Sequence, residues 1–188
     1  MKKIRLTAIL LATVLLLASC GSQPAVKETT EPTAVPVEKF LGDISYTGDV
    51  AALVYEKIDD ELDENGNPLW GIQYREITDI KGLLTQKDKP VLIYFYSSQS
   101  SDTGGVTALA EDLAQTLSDK LLTVSIDAVS HNDIASAYEI VSLPEFVLIE
   151  NGKFKDMFKS SEYSYWDAND VVDWISSCGY VPDTGKLE

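Results

Sequence analysis

Cysteine and histidine are scarce in this chain of 188 residues: two of the first, Cys20 and Cys178, and one of the second, His131. Two cysteines cannot build a disulfide framework, and a single histidine excludes a histidine-rich metal centre. Positive charge is also in short supply. There are 15 lysines and arginines against 30 acids, for a formal charge of −15. Gripping a phosphate backbone takes a basic surface, so this balance excludes a nucleic-acid-binding role. The apolar stretch at residues 6–18 is about 13 residues long, short of the roughly 20 that a spanning helix needs. What remains is 45% apolar and 24% charged, the composition of a folded domain, and the length suits one domain with appendages.

The start of the chain reads as an address. Lys2, Lys3 and Arg5 precede the apolar stretch, as in the first two regions of a secretory signal. The next residues, Leu17-Ala18-Ser19-Cys20-Gly21, resemble the bacterial lipobox: a leucine, two small residues and a cysteine. The resemblance implies cleavage just before Cys20, a diacylglyceryl group on its thiol, and a place outside the cytoplasm in a bacterial cell envelope. A plain secretory signal with an incidental cysteine is the other reading. Each buried acyl CH₂ contributes about 0.8 kcal/mol, and two chains suffice for stable anchoring. Removing residues 1–19 takes away three basic residues and no acid, so the charge moves from −15 to −18. Anionic headgroups repel such a surface, so the acyl chains must do the anchoring. Residues 20–39, with Pro24, Pro32 and Pro36 among small and polar residues, read as a flexible linker. Its span averages about 25 Å.

Residues 40–71 read as an extension carrying an acidic loop. Ala52-Leu53-Val54-Tyr55 and Leu69-Trp70-Gly71-Ile72-Gln73-Tyr74 alternate as strands do, and Asn65-Gly66 with Pro68 marks a turn between them, giving a long-looped hairpin. A calcium loop aligned on Gly66 would need a closing glutamate where Ile72 stands, so no metal is expected.

From Ile72 the pattern sharpens. Thr78 or Asp79 can cap a short helix with Ile80, Leu83 and Leu84 on one face. Val91-Leu92-Ile93-Tyr94-Phe95-Tyr96 is a continuous β-rich run, the mark of a strand buried on both faces. After a polar loop, Val106, Leu109, Ala110, Leu113 and Leu117 recur at helical spacing, and residues 121–126 form a second buried strand. Asn132 or Asp133 opens a helix with Ile134, Ala137, Tyr138 and Val141 on one face. Asn151-Gly152 joins two strands as a hairpin. Asp167 caps a last helix aligning Val171, Ile175 and Cys178, which Gly179 ends. The order β-α-β-α-β-α-β-β-α predicts an α/β domain over residues 72–188, a central mixed sheet with helices on both faces.

This order resembles the thioredoxin fold. The run Val141-Ser142-Leu143-Pro144-Glu145-Phe146 is similar to the family's Val-x-x-x-Pro-Thr segment, and Glu150-Asn151-Gly152-Lys153 to its tight turn. The resemblance covers roughly residues 72–178. It implies a cis proline at Pro144, facing the loop where the family carries Cys-x-x-Cys. This chain has Ser100-Ser101-Asp102-Thr103 there, and the family's buried acid aligns near Tyr94. Thiol–disulfide exchange needs a thiolate, which neither a serine nor a threonine hydroxyl replaces.

Two tasks remain open for that loop. Ser101, Asp102 or Thr103 can cap the following helix. Alternatively, the loop and the segment at Leu143 and Pro144 can form a groove that holds an extended peptide by main-chain pairing. A serine nucleophile would need a base, and His131 is the sole histidine. Cys178 reads either as a core cysteine or as a lone reactive thiol, the latter giving an atypical oxidoreductase that acts through Cys178 or a partner's thiol. Trp174 reads as core; Tyr163 and Tyr165 read equally as core or contact residues. The expectation is therefore a lipid-anchored, extracytoplasmic, redox-inactive module. It has no catalytic residues, no cofactor and no metal; its partners are the membrane, through Cys20, and a protein or peptide. Intact-mass spectrometry of the chain extracted from bacterial membranes should show an acylated N-terminus at Cys20. Cys20→Ser should move the chain to the soluble fraction.

Overall fold

The central strand is the apolar run read from the sequence. In the computed structural model, which describes residues 35–41, 52–57, 62, 64–66, 71–101 and 104–183, β4 (Val91–Tyr96) lies in the middle of a seven-stranded sheet. Its other strands are β1 (Val35–Pro36), β2 (Ala52–Lys57), β3 (Ile72–Ile77), β5 (Leu122–Asp127), β6 (Glu145–Glu150) and β7 (Lys153–Phe158). They lie in the order β1-β7-β6-β4-β5-β2-β3. Only the β4–β5 pairing is parallel. The helices are α1 (Val37–Leu41), α2 (Ile80–Thr85), α3 (Gly104–Thr116), α4 (Asn132–Ala137) and α5 (Ala168–Ser177). From β3 onward the order is the one the sequence predicts.

Alternation along β4 divides the core into two layers. Val91, Ile93 and Phe95 point to the side of α1, α2 and α4, whereas Leu92 and Tyr94 point to the side of α3 and α5. Each helix supplies a matching stripe. Leu109, Ala110 and Leu113 are buried from α3, with Leu117 just past its end, and Val171 and Ile175 from α5. Asp79 caps α2 by accepting from the Gly82 amide at 2.8 Å. Asp167 and Asp170 form a reciprocal capping box at the start of α5. The hairpin turn has Asn151 at φ 55° and Gly152 at φ 70°. Gly152 also abuts α2, where an added Cβ would lie 2.9 Å from the Thr85 carbonyl oxygen.

Three expectations are corrected. First, the flexible linker does not extend to residue 39. Val35–Pro36 pairs with β7, and Val37 and Leu41 are fully buried, because the apolar residues after Pro36 find the open face above α2 and α4. Second, β2, in the segment read as an extension, is an interior strand. It pairs with β3 as the expected hairpin, but its other edge pairs with β5. Third, α4 stops at Ala137, and Val141 is 82% exposed. Glu139 takes a left-handed φ of 57°, and the Ile140 amide closes back on the Ala135 carbonyl. That ends the helix before Val141 can join its face.

The chain divides into two compact units at Pro32 and Thr33, and all described residues belong to the second. Cys20, most of the linker, most of the acidic loop, Asp102 and Thr103 lie outside the described residues. Asp167→Ala should cost about 1 kcal/mol by removing the cap, read as a lower urea midpoint. Gly152→Ala should be destabilising too, since it combines a left-handed φ with a backbone collision.

Candidate functional site

The sheet register assembles the site. β4 pairs antiparallel with β6, setting Phe95 against Glu145 and Tyr94 against Phe146. Continuing that register by one residue brings Pro144 beside Tyr96, where the loop of residues 97–101 leaves the sheet. The Leu143–Pro144 peptide bond is cis. Ser100 and Ser101 therefore leave β4 next to the strand that Leu143 and Pro144 enter. Ser101 is exposed and Leu143 is 37% exposed.

A carboxylate at the end of β5 holds the first loop. Asp127 accepts from the Ser98 hydroxyl at 2.7 Å, the Ser98 amide at 3.2 Å, the Ser130 hydroxyl at 2.6 Å and the Val129 amide at 3.1 Å. Burial pushes this carboxyl up, but the serine and amide donors outweigh it and hold it below the ordinary value. One acid thus clamps the β4–α3 loop to the β5–α4 loop. The hydroxyls of Ser98 and Ser130 both donate to this carboxylate. His131 occupies the N-cap of α4 without a side-chain cap bond.

The proline segment is held by a second cluster. Ser142 donates to Glu145 Oε1 at 2.6 Å and lies 3.0 Å from the Ser160 hydroxyl. Glu145 is 1% exposed, and its Oε2 has no hydrogen-bond partner. Burial pushes this carboxyl up; the Ser142 hydrogen bond and the Lys159 charge pull it only part of the way back. Val141, Leu143, Tyr163 and Tyr165 are exposed nearby in the chain. The Tyr163 amide bonds the Ser160 carbonyl, which ties that aromatic stretch to the same corner. Tyr163 also stacks on Phe158 at 5.0 Å, and Trp166 and Trp174 pack around the same ring. Tyr165, 82% exposed, stands clear of the core.

Cys178 is elsewhere. It is half-buried at the C-cap of α5, its Sγ 3.6 Å from Asp156 Oδ2. Asp156 pairs with Leu148, and Leu148 with Leu92, so the thiol stands at the level of Leu92. Tyr96 is four residues on, about 13 Å along the strand. Burial, then the Asp156 charge, push the thiol up to about 11. At pH 7 only roughly one thiol in ten thousand is then ionised, the opposite of an activated nucleophile.

The β4–β6 register brings the sequence-read Ser100, Leu143 and Pro144 to one corner of the sheet, and the sequence reading did not single out Ser98, Asp127, Ser142, Glu145 or Ser160. A strand ending in aspartate beside two serine-bearing loops was the available signal for the first clamp. Among the described residues, no group of three histidine, cysteine, aspartate or glutamate side chains is placed to hold a metal ion.

Comparison with known proteins supplies the wider frame. The family model described as thioredoxin matches residues 76–176. The chloroplastic thioredoxin Y2 of Arabidopsis thaliana is 32% identical over 95 residues, covering 50% of this chain and 54% of that protein. A thioredoxin of Rickettsia bellii is 26% identical over 92 residues, covering 49% of this chain and 84% of its own. The chain spans about half the length of the plant relatives it matches. Among solved structures, mitochondrial thioredoxin 3 of Saccharomyces cerevisiae superposes with a TM-score of 0.44 at 22% identity, covering 52% of this chain and 85% of that one.

The buried Glu145 carboxyl generates a pH prediction. A raised folded-state value means that its contribution to stability is full below the ordinary glutamate value of 4.5 and is lost as pH rises through the raised value. Glu145→Gln keeps an acceptor for Ser142 and removes the buried charge. It should raise the thermal midpoint by a few degrees at pH 7.5, with the gain vanishing below about pH 4.

Proposed function

The chain belongs to the thioredoxin family, and we propose that it is a membrane-anchored, extracytoplasmic binding module of that family without thiol redox activity. The observation that carries this reading is the loop after β4: Ser100 and Thr103 stand where the family pattern has its thiol pair. The loop leaves the sheet beside the cis Leu143–Pro144 bond. The positioning devices are kept and the reactive sulfurs are gone. The exposed Val141, Leu143 and Tyr165 favour an extended peptide or protein segment as partner, bound by main-chain pairing with apolar side chains alongside. The lipobox-like run at Cys20 and the basic, then apolar, start of the chain support anchoring in a bacterial envelope.

An oxidoreductase acting through Cys178 is the weaker reading. That thiol is held near 11 beside Asp156, and the register sets it away from the loop. The full-length chain in detergent should leave the rate of insulin reduction by dithiothreitol unchanged, with Cys178→Ser indistinguishable from it. Turnover abolished by that substitution would overturn the proposal. On titration with an unfolded, cysteine-free polypeptide, amide resonances of residues 97–101 and 141–144 should shift, and Leu143→Asp should weaken binding at least tenfold.

A further inference from the structure

On the β5 side of β4, beneath α3, lies a cavity of about 210 Å³ that shares Tyr96 with the corner where Pro144 sits. Four tyrosines from three strands line it: Tyr55, Tyr74, Tyr94 and Tyr96. Strand geometry explains the convergence. Tyr55 and Tyr74 are cross-strand partners, and Tyr94 and Tyr96 are two apart on β4 and so share its face. Tyr55 and Tyr74 meet edge-to-face at 5.0 Å; Tyr94 and Tyr96 stack at 5.6 Å. Tyr55 and Tyr94 are buried, and Tyr74, half-exposed, stands at the mouth.

The hydroxyls of three of these tyrosines already have partners. Tyr94 pairs with Thr107 at 3.2 Å, Tyr55 with the Ser125 side chain, and Tyr74 donates to the Glu111 carboxylate. With those hydroxyls engaged, the ring surface left to a visitor is mainly that of Tyr74 and Tyr96, since Tyr94 is fully buried, stacked on Tyr96 and Phe146, and Tyr55 is buried too. No lysine or arginine lines the space. Glu111 stands at the Tyr74 end, and Asp127 is close enough to Tyr96 to act on its phenol. An anion would be repelled by these carboxylates and by the charge of −15. A ligand that depends on donated hydrogen bonds would compete with pairs already made.

We propose that this cavity binds a quaternary ammonium group. Such a cation has no N–H to satisfy, is attracted to the negative faces of aromatic rings, and gains from the nearby carboxylates. The volume lies below the roughly 300 Å³ at which sites enclose a whole drug-sized ligand. The site therefore takes a headgroup and leaves the rest of its bearer outside.

Isothermal titration of the full-length chain in non-ionic detergent tests this, with tetramethylammonium chloride, choline chloride, the neutral choline isostere 3,3-dimethylbutan-1-ol, and micelles of a short-chain phosphocholine lipid. Saturable binding of the two cations at least tenfold tighter than the isostere supports the proposal. Micelles tighter than choline assign the source to a lipid headgroup; choline tighter than micelles assigns it to a free solute. Tyr96→Leu should weaken binding at least tenfold. Should that variant fail to fold, Glu111→Gln, which leaves the cavity wall intact, should still weaken the cations several-fold and leave the isostere unchanged. No saturable binding of either cation, or equal affinity for the isostere, overturns it. Because Tyr96 also borders Pro144, Glu111→Gln, on α3, is the variant that separates this test from that of the peptide groove.

Discussion

The burial of β4 on both faces is the constraint from which the rest of this structure follows. Val91 to Phe95 are at most 1% exposed, so neither face of the strand can be given up to solvent. The helices must cover both sides, with α3 and α5 on one and α1, α2 and α4 on the other. Because β4 also pairs along both edges, its register with β6 and β5 is fixed, and so are the points where the chain leaves the sheet. The loop of residues 97–101, the cis proline and the Asp127 clamp are consequences of that fixed register. A slip of one residue would turn Tyr94 to the wrong layer and carry the loop away from Pro144.

In the proposed reading, hydroxyls take the place of the family's sulfur pair in this frame. A hydroxyl at Ser100 cannot ionise at neutral pH, form a disulfide or accept electrons, yet it can occupy a thiol's place in the loop. Tyr94, where the family pattern has a buried acid, directs its phenol to Thr107 and joins the tyrosine-lined cavity. The remaining described thiol, at Cys178, is kept protonated by burial and by Asp156. Among the described residues at this corner, Ser98 and Asp127 hold one loop and Ser142 and Glu145 the other.

Much of the fold was legible because its signals are local. The apolar run of β4, the Asn151-Gly152 turn, the caps at Asp79 and Asp167 and the stripe on α3 each declare themselves within a few residues. The end of α4 was not legible: Glu139 adopts a left-handed backbone without the glycine that would have marked it. Val35 to Leu41 resisted reading because three prolines among small and polar residues up to Pro36 suggest a tether, whereas Val35–Pro36 pair with the distant β7 and the buried Val37 and Leu41 pack toward α2 and α4. The same applies to β2, whose second neighbour, β5, lies far along the chain. At the site, Pro144 was readable from a motif. The Asp127 clamp was not, since Ser98 and Asp127 meet only when β4 and β5 pair.

The most direct test of the central claim, a thioredoxin frame without its sulfur pair, is to put the pair back. In the full-length chain, Ser100→Cys with Thr103→Cys on a Cys178→Ser background should form an intramolecular disulfide and acquire measurable dithiol-dependent turnover of a model disulfide. Each single substitution should remain inactive. If the double variant formed only disulfides between chains and showed no turnover, the loop would not stand where the β4–β6 register puts it, and the account would fail.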